Sequence, residues 1–382
     1  MKKRKICVVS GSRADYGLLY WLLKELHDSS LLEPILVVTG MHLAPEFGLT
    51  ASQIEKDGFK IHSKVEMLLS SDTALGTAKS VGLGIIGFAD VFSSLKPDLL
   101  LIYGDRFEIL AAVQTALFLK IPVAHIAGGD VTEGAFDESI RHSITKMSQI
   151  HFPTNEEARK RIIQMGENPN LVFNVGSLGI DYINHLNFLS KDELEKQLNL
   201  KLRNKNLLIT LHPATLGQLE DQVAINDLLD ALEDLGDNFG LIFTLPNADP
   251  SGRLISEKIK NFVEKKNNAW AFQSLGQHLY LNLMAKVNAV IGNSSSGLYE
   301  APSLKIPTVN IGDRQKGRLR AESVINCYPS KPEIIEAINS ALKFDCSQIK
   351  NPYGNGQSSK EICQILSNIK NFNTLLSKHF HS

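Results

Sequence analysis

The 382-residue chain exceeds one ordinary domain, and its 43% hydrophobic residues are enough to fill two cores of roughly 180 residues each. A formal net charge of −1 gives no electrostatic basis for binding nucleic acid or an anionic membrane. The basic start Met1-Lys2-Lys3-Arg4-Lys5 is followed by only about five apolar residues before Arg13 and Asp15, too few for a secretory signal.

No window reaches the ~18 apolar residues of a membrane span. Cys7, Cys327, Cys346 and Cys363 form no C-x-x-C, as suits reduced thiols in a soluble cytoplasmic enzyme. In chain order, the first half reads as strands at 6–10, 34–39, 99–103, 123–126, 150–153 and 171–174. Helices are expected at 18–27, 73–94, 107–118, 138–147 and 156–165. Near-continuous apolar strands separated by helices of ten or more residues mean a parallel sheet covered on both faces. The second half repeats this grammar, with strands at 207–211, 241–245, 289–291 and 308–311 and helices at 221–235, 253–266 and 279–286. Between them, Gly176-Ser177-Leu178-Gly179, the charged stretch 191–198 and the polar stretch 201–206 read as a linker zone. The expected organisation is an N-terminal Rossmann-like domain at 1–180, a C-terminal Rossmann-like domain at 181–357 and a helical segment at 358–382 that packs back on the first domain.

In doubly wound sheets ligands sit beyond the C-terminal strand ends, so two such halves facing each other across a cleft would hold one small molecule. Three glycine-bearing loops follow strands: Gly11-Ser12-Arg13, Gly104-Asp105-Arg106 and Gly292-Asn293-Ser294-Ser295-Ser296-Gly297. Amides and arginine forks at such loops suit a diphosphate, with Arg13, Arg106 and Arg314 as the cations. Each arginine could instead cap a helix or pair with a nearby carboxylate. Ser294 and Ser295 suit a terminal phosphate or a plain helix cap, and Glu300 a ribose or solvent. His212, at a strand end before Pro213, can meet a phosphate as a cation or shuttle a proton. Asp105 and Asp130 end neighbouring strands, with Glu133 and Asp137 on the loop after them. Such a crowd of carboxylates beside arginines suits proton removal and phosphate expulsion, because like charges push one carboxyl to hold a proton while another stays ionised. No closely spaced metal-ligand cluster appears, and neither metal nor cofactor is expected.

The stretches Gly11–Gly17, Gly104–Glu108, His125–Asp130, Asp137–Lys146, Leu211-His212-Pro213, Gly292–Glu300 and Gly312–Gln315 together resemble the hydrolysing UDP-N-acetylglucosamine 2-epimerases. The resemblance implies the two-domain GT-B architecture and a UDP-sugar substrate that is converted to N-acetylmannosamine and UDP for sialic acid synthesis. A sister branch acts on UDP-2,4-diacetamido-2,4,6-trideoxyglucose in legionaminic acid synthesis. Arg13-Ala14-Asp15-Tyr16 points to the hydrolysing branch rather than to the non-hydrolysing one. The implied chemistry removes the C2 proton and expels UDP to leave a 2-acetamidoglucal, which water then hydrates with reprotonation on the other face. By position, Arg13, Ala14, Asn247, Gly292, His212, Ser294 and Ser295 would hold the nucleotide, Glu300 the ribose, and Arg106 and Arg314 the surrounding anionic groups. Asp105 matches the family's catalytic aspartate. Ala127 stands where some members carry a catalytic glutamate, a role left to Asp130 or Glu133, while Asp137 matches a third acidic position. A homo-oligomer is implied, and a GT-B glycosyltransferase stays open as the alternative function.

Overall fold

The computed structural model describes residues 2–45, 49–69, 73–131, 136–213, 218–246 and 250–382. The chain divides into two units, residues 1–182 with 353–382, and residues 183–352. The first contains β1 (Arg4–Ser10), β2 (Leu32–Thr39), β3 (Ile61–Val65), β4 (Leu99–Tyr103), β5 (Val123–Ile126) and β6 (Ile150–Phe152). They form one parallel sheet in the order β3-β2-β1-β4-β5-β6. The second contains β7 (Lys205–Thr210), β8 (Phe239–Thr244), β9 (Ala269–Phe272), β10 (Ala289–Gly292), β11 (Thr308–Ile311) and β12 (Val324–Cys327). Its order, β12-β11-β10-β7-β8-β9, is the same winding read from the other edge. In each unit the winding reverses direction between the first and fourth strands, β1 and β4 or β7 and β10.

Strand alternation builds the cores. In β1, Ile6 and Val8 face one apolar layer, completed by Leu19, Leu22 and Leu26 of the helix Arg13–Asp28. Cys7 and Val9 face the other, with Phe88 and Phe92 of the helix Ala74–Leu95 and with the helix Phe107–Phe118. Both faces are therefore dry, as the continuous apolar strands require. The helix Ala74–Leu95 is itself long and apolar enough to cross a membrane, contrary to the expectation that no window would qualify. Its Gly84 lets it approach the neighbouring helix, since a Cβ there would stand 2.9 Å from that of Ala111.

Three strands escaped the sequence pattern, β3, β9 and β12, and all three are sheet edges. An edge strand is sheltered less completely, and β3 accordingly mixes His62, Ser63 and Lys64 with its apolar residues. The expected strand at 171–174 does not form. Pro169–Leu171 make a turn of 3-10 helix, and Val172 contributes only an isolated bridge to His151. The zone read as a linker is ordered. Lys191–Leu198 is a helix with a complete capping box between Ser190 and Glu193, and Lys205 and Asn206 already belong to β7.

The C-terminal helix Ser358–Asn368 lies in the first unit. Both carboxylate oxygens of Asp181 accept its first amides, from Ser358 at 3.0 Å and Ser359 at 2.6 Å, so a distant side chain caps it. Beyond it, Lys378 donates to the carbonyls of Lys146 and Ser148 and to Glu167, each bond being 2.6 to 2.7 Å long. Glu167, 1% exposed, also accepts from Lys146 and from the buried His151. Burial alone would raise its carboxyl, but these partners together hold it down at about 2.

Candidate functional site

In the first unit the loops after β1, β2 and β4 converge on Glu108, which is wholly buried. A Cβ on Gly40 would stand 2.8 Å from its carboxylate, so glycine is what lets the β2 loop close over it. Glu108 holds Arg106 by a fork, from Nε at 3.2 Å and Nη2 at 2.8 Å. Arg106 was expected to serve a phosphate, and the structure shows that much of its donor fork is occupied internally. Asp15 lies close enough to feel both charges, and burial raises its pKa. Arg13 and Ala14 are exposed on the first turn of their helix, which Ser12 caps by accepting from the Asp15 amide at 3.2 Å.

The loops after β4 and β5 carry the acids. Arg141 is 7% exposed and donates two N–H groups to Asp105 Oδ2, from Nε at 2.7 Å and from Nη2. Its Nη1 donates to the Asp130 carbonyl at 2.7 Å. The guanidinium thus locks both loops in one geometry. Asp137 is half-buried on the helix Phe136–Met147. Its pKa is raised by burial and then by the charge of Asp105, with Arg141 and Arg106 opposing. Asp105 and Asp137 therefore share one electrostatic environment, while Asp105 alone has the ion pair.

Asp130 was expected to face Asp105 across a pocket. Instead its carboxylate accepts from Asn155 Nδ2 at 3.0 Å and from the Thr154 hydroxyl at 3.3 Å, which commits it to the loop after β6. Ala127 adopts φ +64°, a left-handed backbone that is uncommon for a residue with a Cβ. Beneath this turn His125 is wholly buried, with Nε2 at 2.9 Å from the Gly104 carbonyl and Nδ1 at 3.1 Å from the Thr145 hydroxyl. Burial presses its pKa to about 3, so it stays neutral and anchors the β4 loop. Glu133 lies outside the described residues.

In the second unit the two loops at the reversal point are stitched together by Asn293. Its Oδ1 accepts from the His212 amide at 2.7 Å, and its Nδ2 donates to the His212 carbonyl at 2.8 Å. Its own carbonyl accepts from Arg314 Nη1 at 3.0 Å and from Gln315 at 2.8 Å. His212, Arg314 and the serines thus gather round one asparagine. Gly292 has φ +128°, and a Cβ there would fall 1.9 Å from the Thr210 carbonyl, so no other residue fits. The helix that follows is only Ser296–Tyr299; Ser295 precedes it without a side-chain capping bond, while Ser294 Oγ accepts from the Ser296 amide at 3.4 Å. Glu300 is half-buried at its end, and burial lifts its carboxyl to about 7. Asn247 lies outside the described residues.

Sequence reasoning passed over four residues that hold these sites together: Arg141, Glu108, Asn293 and Tyr280. Glu108 did leave a signal, a carboxylate in the first turn of the otherwise apolar helix Phe107–Phe118. Tyr280 left none, because its contacts are wholly tertiary.

The family model described as UDP-N-acetylglucosamine 2-epimerase matches residues 24–367. A GDP/UDP-N,N'-diacetylbacillosamine 2-epimerase (hydrolyzing) from Campylobacter jejuni is 47% identical over 327 residues, covering 85% of each chain. A UDP-N,N'-diacetylbacillosamine 2-epimerase (hydrolyzing) from Legionella pneumophila is 34% identical over 375 residues, 98% of each chain. The crystal structure of a UDP-GlcNAc 2-epimerase from Neisseria meningitidis bound to UDP-GlcNAc superposes with a TM-score of 0.77 at 22% identity, over 95% of this chain and 99% of that one. The fold is GT-B-like, with two Rossmann-like units. The chain belongs to the UDP-N-acetylglucosamine 2-epimerase family.

Proposed function

We propose that the chain is a hydrolysing 2-epimerase whose preferred substrate is a nucleoside-diphosphate 2,4-diacetamido-2,4,6-trideoxy sugar. The products are the free C2-epimeric sugar and the nucleoside diphosphate. The observation that carries the reaction is the Asp105–Asp137 pair, two acids in one field, of which only Asp105 is ion-paired to Arg141. The preference for a diacetamido sugar is supported by the activities for which the Campylobacter and Legionella relatives are named.

Two sets of residues divide the chemistry. Asp105, held by Arg141, takes the C2 proton while the anomeric C–O bond breaks, and the bonding electrons leave with the diphosphate. The sugar becomes a 2-acetamidoglucal with a C1–C2 double bond. Asp137, with its raised pKa, is protonated more readily and returns a proton to C2 on the opposite face as water adds its oxygen at C1 and gives up one of its protons to solvent. Divergent environments for two acids are what separate a base from an acid at one pH. Charge developing on the leaving diphosphate is met by Ser294, Ser295, His212 and Arg314, and its ribose by Glu300. Arg13 and Ala14 are assigned to the nucleotide by their position in the sequence. The carboxylate missing at Ala127 is replaced by Asp137 rather than by Asp130, because Asp130 is held by Thr154 and Asn155.

A second reading, UDP-N-acetylglucosamine as substrate, is favoured by the description of the matching family. Both substrates should be incubated with the enzyme in D₂O and the products followed by NMR. A free sugar carrying deuterium at C2, formed several-fold faster from the diacetamido substrate, is expected. Faster turnover of UDP-N-acetylglucosamine would transfer the assignment to the second reading. Intact substrate in both cases would exclude the reaction.

A further inference from the structure

Beneath the serine loop of the second unit lies a connected set of hydroxyls, of which the steps above use only Ser294. Tyr280, on the helix Gly276–Met284, brings its phenol oxygen 2.6 Å from Ser296 Oγ. Ser296 Oγ in turn lies 3.0 Å from Ser294 Oγ. Thr210 at the end of β7 lies, like Ser294, close enough to influence the same phenol, and its own hydroxyl pairs with that of Thr244 at the end of β8. The Ser296 amide also donates to Ser294 Oγ at 3.4 Å, but each hydroxyl carries one proton and can both donate and accept, so the direction of the bonds among the hydroxyls stays open.

A phosphate removes that freedom. Its oxygens accept only, so a Ser294 hydroxyl facing one must donate outward. Ser294 is then left to accept from Ser296, and Ser296 from Tyr280. The bonds align into a single run from phenol to phosphate, in which each donation polarises the next. A phenol suits the head of such a run because it is a stronger donor than an aliphatic alcohol. Burial also raises its pKa, keeping its proton in place across the working range.

We propose that Tyr280 is a positioning residue for the leaving diphosphate, acting through Ser296 to fix the Ser294 hydroxyl as an outward donor. This rests on the reading above that Ser294 faces the diphosphate. It assigns a role to a side chain that touches neither sugar nor phosphate.

The test compares UDP with uridine by calorimetry, because a role exerted through the phosphate contact cannot alter binding of the phosphate-free nucleoside. In Tyr280→Phe, UDP binding should weaken about three- to tenfold, the scale of one neutral hydrogen bond. Uridine binding should stay within about twofold on the same scale. On a Ser294→Ala background the same substitution should add less than about twofold, since the run is already cut. Equal weakening of UDP and uridine would reduce Tyr280 to packing and overturn the proposal. So would unchanged UDP binding in Tyr280→Phe while Ser294→Ala weakens it. If Ser294→Ala itself leaves UDP binding intact, the serine loop is not the diphosphate cradle and the underlying reading fails first. Should Tyr280→Phe unfold the unit, Ser296→Ala cuts the same run one link later and must give the same selective loss.

Discussion

Around the ends of β4 and β5 the first unit gathers ionisable groups of both signs, Asp105, Arg106, Asp137 and Arg141, whereas around β7 and β10 the second gathers the neutral Thr210, Asn293, Ser294 and Ser296 with the cation Arg314 beside them. The two sheets wind identically, so the difference does not come from topology. It comes from a few residues at the same place in each winding, the reversal point, where two loops diverge and leave room for a ligand. One scaffold supplies the location twice, and the loops decide the chemistry. Ionisable groups of both signs set close together suit proton transfer. Neutral donors beside a cation suit an anion that must be held and then released.

The contrast can be broken first at its chemical end. Asp105→Asn should lower turnover by roughly 10²–10⁴, the range for a positioned acid or base, while calorimetry shows UDP affinity close to wild type. Unchanged turnover would make Asp105 merely the structural partner of Arg141. Asp137→Asn should be comparably damaging, whereas Asp130→Asn should lower thermal stability and still release C2-deuterated sugar. A dead Asp130→Asn with full stability would return the missing acid to Asp130.

Backbone demands should also differ between the units. Gly292→Ala puts a Cβ 1.9 Å from the Thr210 carbonyl at a φ open mainly to glycine, and it should cost roughly 3 kcal/mol of stability together with most UDP binding. Gly104→Ala, at φ +77° with nothing within 4 Å of the added carbon, should cost only about 1–2 kcal/mol. Chemical denaturation of the two variants reads the difference, and equal losses would refute it.

Acid should act on the first unit through Glu167. Its folded-state pKa of about 2 lies below the ordinary 4.5, so its contribution is complete above pH 4.5 and is lost as pH falls toward 2. The total is on the order of 3 kcal/mol, shared among His151, Lys146 and Lys378. Glu167→Gln should flatten that part of the stability profile, and an unchanged profile would place the acid sensitivity elsewhere.

The smallest effect sharpens the second unit. Glu300, lifted to about 7, can accept from both ribose hydroxyls with equal strength only when ionised and keeps just its carbonyl oxygen as a good acceptor when protonated, so uridine should bind more tightly as pH rises through 7. The change is at most about tenfold per pH unit below 7 and levels off above it. Glu300→Gln should remove the dependence. A flat wild-type profile would take Glu300 out of the nucleotide site.

Most central strands, both windings and the loops that bear the acids and serines were legible in the sequence, because β-branched runs buried on both faces leave no alternative pattern. The edge strands β3, β9 and β12 were not: β3 and β12 mix polar with apolar residues, as a strand with one neighbour can, and β9 is only the four residues Ala269-Trp270-Ala271-Phe272. The candidate residues were likewise legible as types and positions, and their pairings were not. Nothing local distinguishes Asp130, turned toward Thr154 and Asn155, from Asp137, set in the field of Asp105. Nor does the chain show that Glu108 occupies the fork of Arg106, or that Asn293 binds the backbone of His212 from 81 residues away. Periodicity and loop chemistry act between near neighbours, so the sequence by itself determined the elements and their order. Which charges meet, which hydroxyls connect and which carboxylate stays available are decided by side chains brought together across strands, and only the tertiary structure could decide them.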